Sequence, residues 1–336
     1  MPAHHAPSGG FRNPWPGGKL PGFAAFLKWV LWERLTKPRP ADPDPRVFER
    51  RAPDLAFPRG SRDAMRITWV GHSTFVLQLG GLNLLTDPMW SERAAPVRFA
   101  GPRRWVPPGV SRDALPPIDV VLISHNHYDH LDDATVRWLA ARDPAATWLA
   151  PVGVGSFLRA RGVGTVAELD WLDDGRVGEV TVACTPAQHF SSRGFGDRDR
   201  TLWCGWTVRH GARAVYFAGD TGYHPAFTEI GARYGPFDAA LLPVGAYEPR
   251  WFMRAAHMNP EEAVRAYLDL RGTAAGAAPL MVPMHWGTFK LTDEPMDEPP
   301  ARVRAAWSAA GLPGERLWVP AHGETRVVGR SGGPPD

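Results

Sequence analysis

Short apolar runs bounded by Gly, Pro and Asp dominate the chain from position 65 onward. MRITWVG (65–71), FVLQL (75–79) and LNLLTDP (82–88) predict three strands of a meander, with Gly80-Gly81 at one turn. IDVVLIS (118–124) is almost continuously apolar, as a buried strand would be, and a polar loop and a helix near 133–142 follow it. TWLAP (147–151) and a helix near 154–161 repeat that order. EVTVACTP (179–186), TLWCGWTVR (201–209) and ARAVYFAGD (212–220) form a second strand set, followed by DAALLPVG (238–245). A helix from Pro260, capped by Asn259, runs toward Leu270; PLMVPMHWG (279–287) and a helix around 301–310 complete the pattern. Strands in meanders and then with flanking helices, twice over, predict an α+β fold of two sheets sandwiched between helices.

The start of the chain reads differently. Its first 22 residues are rich in Gly and Pro, and FAAFLKWVLWERL follows. There Phe23, Phe26, Leu27, Val30 and Leu31 recur at one-face spacing, predicting an amphipathic helix over about 21–36 that closes before Lys37-Pro38. It is too short, and too interrupted by Lys28, for a signal peptide. The helix packs on its own domain or lies on a membrane surface, with Trp29 and Trp32 at headgroup depth. Residues 1–62 carry 11 Lys and Arg against 5 Asp and Glu, whereas the remainder carries 27 against 30. A basic arm (1–62) is thus expected on a mildly acidic catalytic domain (63–330), which argues against a nucleic-acid partner. The 44% hydrophobic and 22% charged shares exclude a mostly disordered chain. No apolar run approaches the roughly 18 residues of a spanning helix. Two cysteines, Cys184 and Cys204, lie in strand-like runs and read as core.

Candidate chemistry concentrates in Ser124-His125-Asn126-His127-Tyr128-Asp129-His130, directly after a buried strand. His125 and His127 are two apart, so in extended chain they point the same way and can hold one ion. Asp129 and His130 come where the loop turns and can face a second. A merely polar turn would place three imidazoles and a carboxylate at one strand end for no gain. Imidazole and carboxylate without thiolate suit Zn²⁺, with Fe or Mn as other divalent candidates.

HxHxDH resembles the signature of the metallo-β-lactamase superfamily, which implies an αββα sandwich, two mixed sheets between helix layers, with metals at the sheet edge. The resemblance also implies a His after a strand, met by His189, an acidic residue at a strand end, met by Asp220 in YFAGDTG, and a late His, met by His285 in MHWG. It places His125, His127 and His189 on one Zn²⁺, Asp129, His130 and His285 on another, and Asp220 between them. Asp87 in LLTDP matches an early strand-end Asp that orients a ligand. His4, His5 and His210 read as unremarkable, while His72, His224 and His322 could support the site or merely lie on the surface.

Longer stretches make the likeness narrower. NPWP (13–16), LTDPMWSERAAPVRFAGPRR (85–104), LPPIDVVLISHNHYDHLD (115–132), GAYEPRWFMRAAHMNPEEAV (245–264), HWGTF (285–289) and HGE (322–324) resemble the N-acyl phosphatidylethanolamine phospholipase D family. That resemblance implies hydrolysis of an N-acylated ethanolamine phospholipid to phosphatidic acid and an N-acylethanolamine by a metal-bridging hydroxide, and association as a membrane-bound homodimer. Asp129, Asp220 and His257 are then the catalytic set, His257 either protonating the leaving oxygen or orienting the phosphate. The expected location is cytoplasmic, on the cytoplasmic face of the membrane. Two rival readings remain at this level: a cytosolic lactonase or phosphodiesterase on small phosphorylated metabolites, and a membrane-surface protein whose metals serve only folding.

Overall fold

Alternation along the strands sets the layers of the molecule. The computed structural model describes residues 2–194, 196–272 and 278–328. The first sheet takes β1 (Met65–Gly71), β2 (Thr74–Leu79), β3 (Leu82–Thr86), β4 (Val120–Leu122), β5 (Thr147–Pro151) and β6 (Thr165–Leu169). The second takes β7 (Asp174–Val177), β8 (Val180–Thr185), β9 (Gly205–His210), β10 (Arg213–Phe217), β11 (Ala239–Pro243) and β12 (Leu280–Met284), and β13 (Thr325–Val328) returns to the edge of the first. Strand order is β13-β1-β2-β3-β4-β5-β6 in one sheet and β12-β11-β10-β9-β8-β7 in the other. The helices are α1 (Phe23–Leu27) and α2 (Arg34–Thr36) in the arm, then α3 (Asp133–Arg142), α4 (Gly155–Arg159), α5 (Ala226–Tyr234), α6 (Arg250–Met253), α7 (Pro260–Arg271) and α8 (Glu298–Ala309).

Leu77, Leu84, Val120 and Leu122 share the inter-sheet core with Val180, Val182 and Val208. Their chain neighbours Val76, Leu85, Val121 and Ile123 belong to a second core with Val136 and Leu139 of α3 and Leu158 of α4. Both faces of the sheet are therefore covered, which is why these strands read as continuous apolar runs. Each fully buried aliphatic side chain contributes about 1.5–3 kcal/mol. On the other side, α7 starts from a capping box in which Asn259 and Glu262 satisfy each other's backbone N–H groups, and it packs between α5 and α8. The αββα sandwich expected from the sequence is the observed architecture.

Strand direction positions the site. β3 to β6 are parallel, as are β10 to β12, while β1-β2-β3 and β8-β9-β10 are antiparallel ladders. So β1, β3 and β4 run one way in their sheet, and β8, β10 and β12 run one way in theirs. The loops leaving their C-terminal ends converge at one edge of the sandwich.

The arm is packed rather than loose. His4 is buried, its Nε2 2.6 Å from Asp170 Oδ1, and His5 Nε2 is 2.6 Å from Asp170 Oδ2. This corrects the unremarkable role expected of both. The helical segment spans 23–36, with a π-helical stretch over Lys28–Glu33 between α1 and α2. Its seated residues are Trp29, whose Nε1 donates to Asp293 Oδ2 at 2.6 Å, and Glu33, which accepts from Trp251 Nε1 at 3.2 Å. Phe26, Leu27 and Leu31 of the predicted stripe are exposed instead, with Trp32 and Leu35. Two polar anchors choose the face, and the wider π turn shifts the one-face spacing that the sequence implied. Among the described residues no helix is long and apolar enough to cross a membrane. β6, β7, β13 and α5 have no counterpart in the sequence pattern: TVAEL, DGRV and TRVV are short and interrupted by charge or Gly.

Candidate metal centre

The tight loop after β4 builds one half of the site. His127 O accepts from both His130 N (3.1 Å) and Leu131 N (2.8 Å), turning the chain so that four ligand-type side chains face inward. His125 Nε2 and His189 Nε2 lie 2.8 and 3.2 Å from His127 Nδ1. His189 enters from the loop after β8. Across from it, Asp129 Oδ2 lies 3.3 Å from His130 Nε2, 3.4 Å from His285 Nε2 and 2.8 Å from His72 Nε2. Asp220, after β10, sits between the groups: its Oδ2 is 3.1 Å from His130 Nε2, 3.0 Å from His285 Nε2 and 3.9 Å from His189 Nε2. Gly219 allows this approach, because a Cβ there would fall 2.7 Å from Cys204 O and 2.8 Å from Ser124 Cβ. All seven sequence-predicted ligands are brought together in this way.

Hydrogen bonds behind the ring fix which nitrogen faces in. Ser124 Oγ donates to Asp87 Oδ2 (2.6 Å), so it accepts from His125 Nδ1 (2.9 Å) and leaves Nε2 with a lone pair. His189 Nδ1 donates to Ala256 O (2.9 Å) with the same result, and His130 Nδ1 donates to Asp87 Oδ2 (2.7 Å), which turns its Nε2 toward Asp129 and Asp220. Asp87 thus stands where the sequence placed it, against a ligand-type His. His72, Asp87 and His285 all adopt left-handed backbone, at φ 55, 33 and 63°. Such strain in non-glycine residues gathers at functional sites.

Electrostatics divides the imidazoles. Burial pushes His125 well below its ordinary value, takes His127 to about 3 and His189 to about 4, so all three are neutral donors. Burial also opposes charge on His130 and His285, but Asp220 and Asp129 outweigh it, holding His130 well above its usual range and lifting His285 to about 9. Asp129 and Asp220 are in turn held well below the carboxylate range, because His130 overrides the burial that opposes their charge. Protons here balance a cluster of carboxylates, a role that divalent cations fill more strongly. Fit to metal rests on orphaned atoms: His130 Nε2, His285 Nε2, Asp220 Oδ1 and His257 Nδ1 are buried without a hydrogen-bond partner. Within the two clusters that carry most of the donors, the ligand atoms all lie within 4.8 Å of one another.

His257 lies in the loop beyond α6, 8% exposed, with Nδ1 4.0 Å from Asp220 Oδ2. It lines a cavity of about 330 Å³ whose floor includes His127, Asp129 and Asp220 and whose walls include Phe26, Trp29 and Phe252. Two further residues have roles that were not legible before the fold. His72, kept neutral by burial at a pKa of about 3, donates Nε2–H to Asp129 and orients it. Asn13, in NPWP, clamps the backbone of His189, donating to its carbonyl (2.9 Å) and accepting from its N–H (3.2 Å). His224 is stacked between Trp15 and Phe227, and His322 bonds Thr288, so both hold structure.

Residues 82–286 match the Beta-lactamase superfamily domain, and a sandwich with a buried His/Asp cluster at its edge defines a metal-dependent hydrolase of that fold. An isothiocyanate hydrolase from Delia radicum gut bacteria shares the fold, with a TM-score of 0.60 at 23% identity over 78% of this chain and 98% of that one. An uncharacterised Mycobacterium tuberculosis protein is 44% identical, covering 92% of this chain and 82% of its own length. The N-acyl-phosphatidylethanolamine-hydrolyzing phospholipase D 1 of Caenorhabditis elegans is 37% identical, covering 89% and 86%. The chain belongs to the N-acyl-phosphatidylethanolamine phospholipase D family within the beta-lactamase superfamily.

Proposed function

We propose that this hydrolase holds two divalent cations, zinc by preference, and cleaves the phosphodiester of N-acyl phosphatidylethanolamine-type lipids to phosphatidic acid and an N-acylethanolamine. The observation that carries the reading is a seven-residue donor set that opens directly into an apolar-walled cavity. His125, His127 and His189 would hold one cation, Asp129, His130 and His285 the other, and Asp220 both. Bound there, the pair supplies a water acidified toward a pKa of about 7 and polarises the phosphoryl oxygen. Asp87, Ser124 and His72 keep the ligand rings and carboxylate aimed inward, and Phe26, Trp29 and Phe252 exclude bulk water beside an acyl chain.

His257 faces the same cavity. Burial holds it neutral, the proximity of His189 and His285 adds to this, and Asp220 opposes it. It therefore acts as an N–H donor orienting a phosphoryl oxygen, not as a cationic acid that protonates the leaving group. The exposed Leu31, Trp32 and Leu35 stand on the same helical segment as the cavity-lining Phe26 and Trp29. This supports the reading of an amphipathic membrane contact beside the mouth, from which a lipid would enter.

The test is zinc-loaded protein against mixed micelles of N-acyl phosphatidylethanolamine, with products resolved by mass spectrometry. Phosphatidic acid plus N-acylethanolamine, lost in Asp220→Asn, is the expected result. Turnover of a soluble phosphodiester with none of the lipid would move the substrate to small phosphorylated metabolites and overturn the lipid reading.

A further inference from the structure

A second cleft, of about 600 Å³, lies on the other side of the metal loop and shares none of the metal-ligand residues. Five arginines line it: Arg93, Arg98, Arg112, Arg161 and Arg193. Three carboxylates face the same space, and two of them are already matched. Glu92 pairs with Arg103 at 2.6 Å, and Asp133 pairs with Arg161 and Arg137. Asp132 is engaged by neutral groups, Ser91 and Thr135. Arg93, Arg98, Arg112 and Arg193 make no ion pair among the described residues, which leaves the cleft strongly cationic.

Arg193 sits deepest among them. Its guanidinium lies 4.0 Å from the Tyr128 ring and 4.5 Å from the Phe157 ring, and Nη1 donates to Asn126 O and Leu131 O, both at 2.7 Å. Burial draws its pKa down to about 10, with Arg161 adding to the shift and Tyr128, Asp133 and Asp132 opposing it. A partly desolvated guanidinium that lines a cleft with four further arginines suits a phosphoryl oxygen anion. Arg112 stacks on Trp138 (4.7 Å), so its position is fixed as well, while Arg98 is exposed and makes no ion pair among the described residues. The loop that carries Arg93 and Arg98 also carries Val97, 38% exposed, and Phe99, 84% exposed. Apolar side chains beside a phosphoryl site favour a ligand whose phosphate is attached to a lipid.

We infer that this arginine cleft is a second, non-catalytic site for a phosphoryl anion, filled by the headgroup of an anionic phospholipid such as a phosphomonoester lipid. Tyr128 and Arg193 belong to the loops that also carry His127 and Phe190 at the catalytic cavity, so both openings lie at the same end of the sandwich. A protein docked by its exposed helix would be held by this cleft to a leaflet that contains anionic lipid. The inference does not rest on which bond the metal centre cleaves, and its test reads binding alone.

The test compares phosphatidylcholine vesicles with and without phosphatidic acid, using the full chain loaded with zinc. Wild type should prefer the anionic vesicles, and Arg98→Ala with Arg112→Ala should lose about tenfold of that preference. Leu31→Ser with Leu35→Ser should instead weaken binding to both vesicle types alike. Arg98→Ala alone, at an exposed position, serves as the arm in which folding is not at stake, and thermal midpoints check the double variant. Inorganic phosphate and glycerol 3-phosphate are titrated in parallel by calorimetry. Soluble phosphate binding that the double variant loses would keep the phosphoryl site and make its ligand a soluble phosphate. No preference for anionic vesicles together with no variant-sensitive phosphate binding, or a preference unchanged in both arginine variants, overturns the site.

Discussion

Asp87 shows how much of the metal centre depends on a residue that touches no metal. Its two carboxylate oxygens accept from Ser124 N (2.7 Å), Ser124 Oγ (2.6 Å) and His130 Nδ1 (2.7 Å) at full burial. Burial raises its pKa, and His130 opposes that rise, so the carboxylate and the imidazole sustain each other's state. Through Ser124 the same group also sets the tautomer of His125. Asp87→Ala should therefore weaken zinc binding about 10–100-fold, measured by competition with a chromophoric chelator. Affinity equal to wild type would mean that the ring orientations are fixed by packing alone. Asp87 was legible through the family resemblance, which implies an early strand-end Asp where LLTDP supplies one. His72 was not, since only the pairing of β1 with β2 and a left-handed turn carry it to Asp129, 57 positions along the chain. Asn13 was legible as part of a motif but not in its role, which exists only once the arm reaches His189.

At the scale of elements, periodicity served where a strand or helix is buried on predictable faces. β4 and β5, with apolar residues on both faces, and α7, with its Asn cap and Pro260, stood out in the sequence for physical reasons that the structure repeats. β6 and β7 are the margins of the two different sheets and are only partly buried, so neither has an apolar run to read. The arm helix misled most, because its packing is decided by two hydrogen-bonded anchors and not by its apolar stripe. Trp29 reaches Asp293 and Glu33 reaches Trp251, with Lys37 3.2 Å from Glu33. Replacing a buried Trp by Ala costs about 3–5 kcal/mol, more than the few remaining contacts of a short helix can offset. Trp29→Ala is thus expected to free residues 23–36, seen as rapid proteolysis in that segment, and to raise KM for a micellar lipid. A protease-resistant segment in the variant would show that Glu33 alone seats the helix.

The whole molecule is tied together by its arm, which crosses from the margin of the sandwich to the metal edge. His4 and His5 share Asp170, His4 stacks on Trp171 (4.1 Å), Trp171 stacks on Trp15 (5.6 Å), and Asn13 beside Trp15 holds His189. Loss of the first link should therefore be felt along the arm, and acid should break it. Burial lowers the pKa of His4 from 6.5, with Asp170 opposing, so the folded protein binds its proton less well than the unfolded chain does. Stability linked to His4 is then fully present above about 6.5 and is lost as pH falls toward the lowered folded value. Asp170, held below its ordinary 3.8 by His4 and neighbouring donors against the burial that opposes its charge, loses its share only at still lower pH. His4→Phe keeps an aromatic ring for Trp171 but cannot take up a proton. Its thermal midpoint at pH 7.5 (about neutral) should lie below that of wild type by about 2 °C, the worth of one hydrogen bond. The gap should close as pH falls below about 6, because only wild type then loses stability at this position. Parallel curves across that range would mean that His4 keeps its proton balance on folding, and that the arm is fastened by stacking and not by the bond to Asp170.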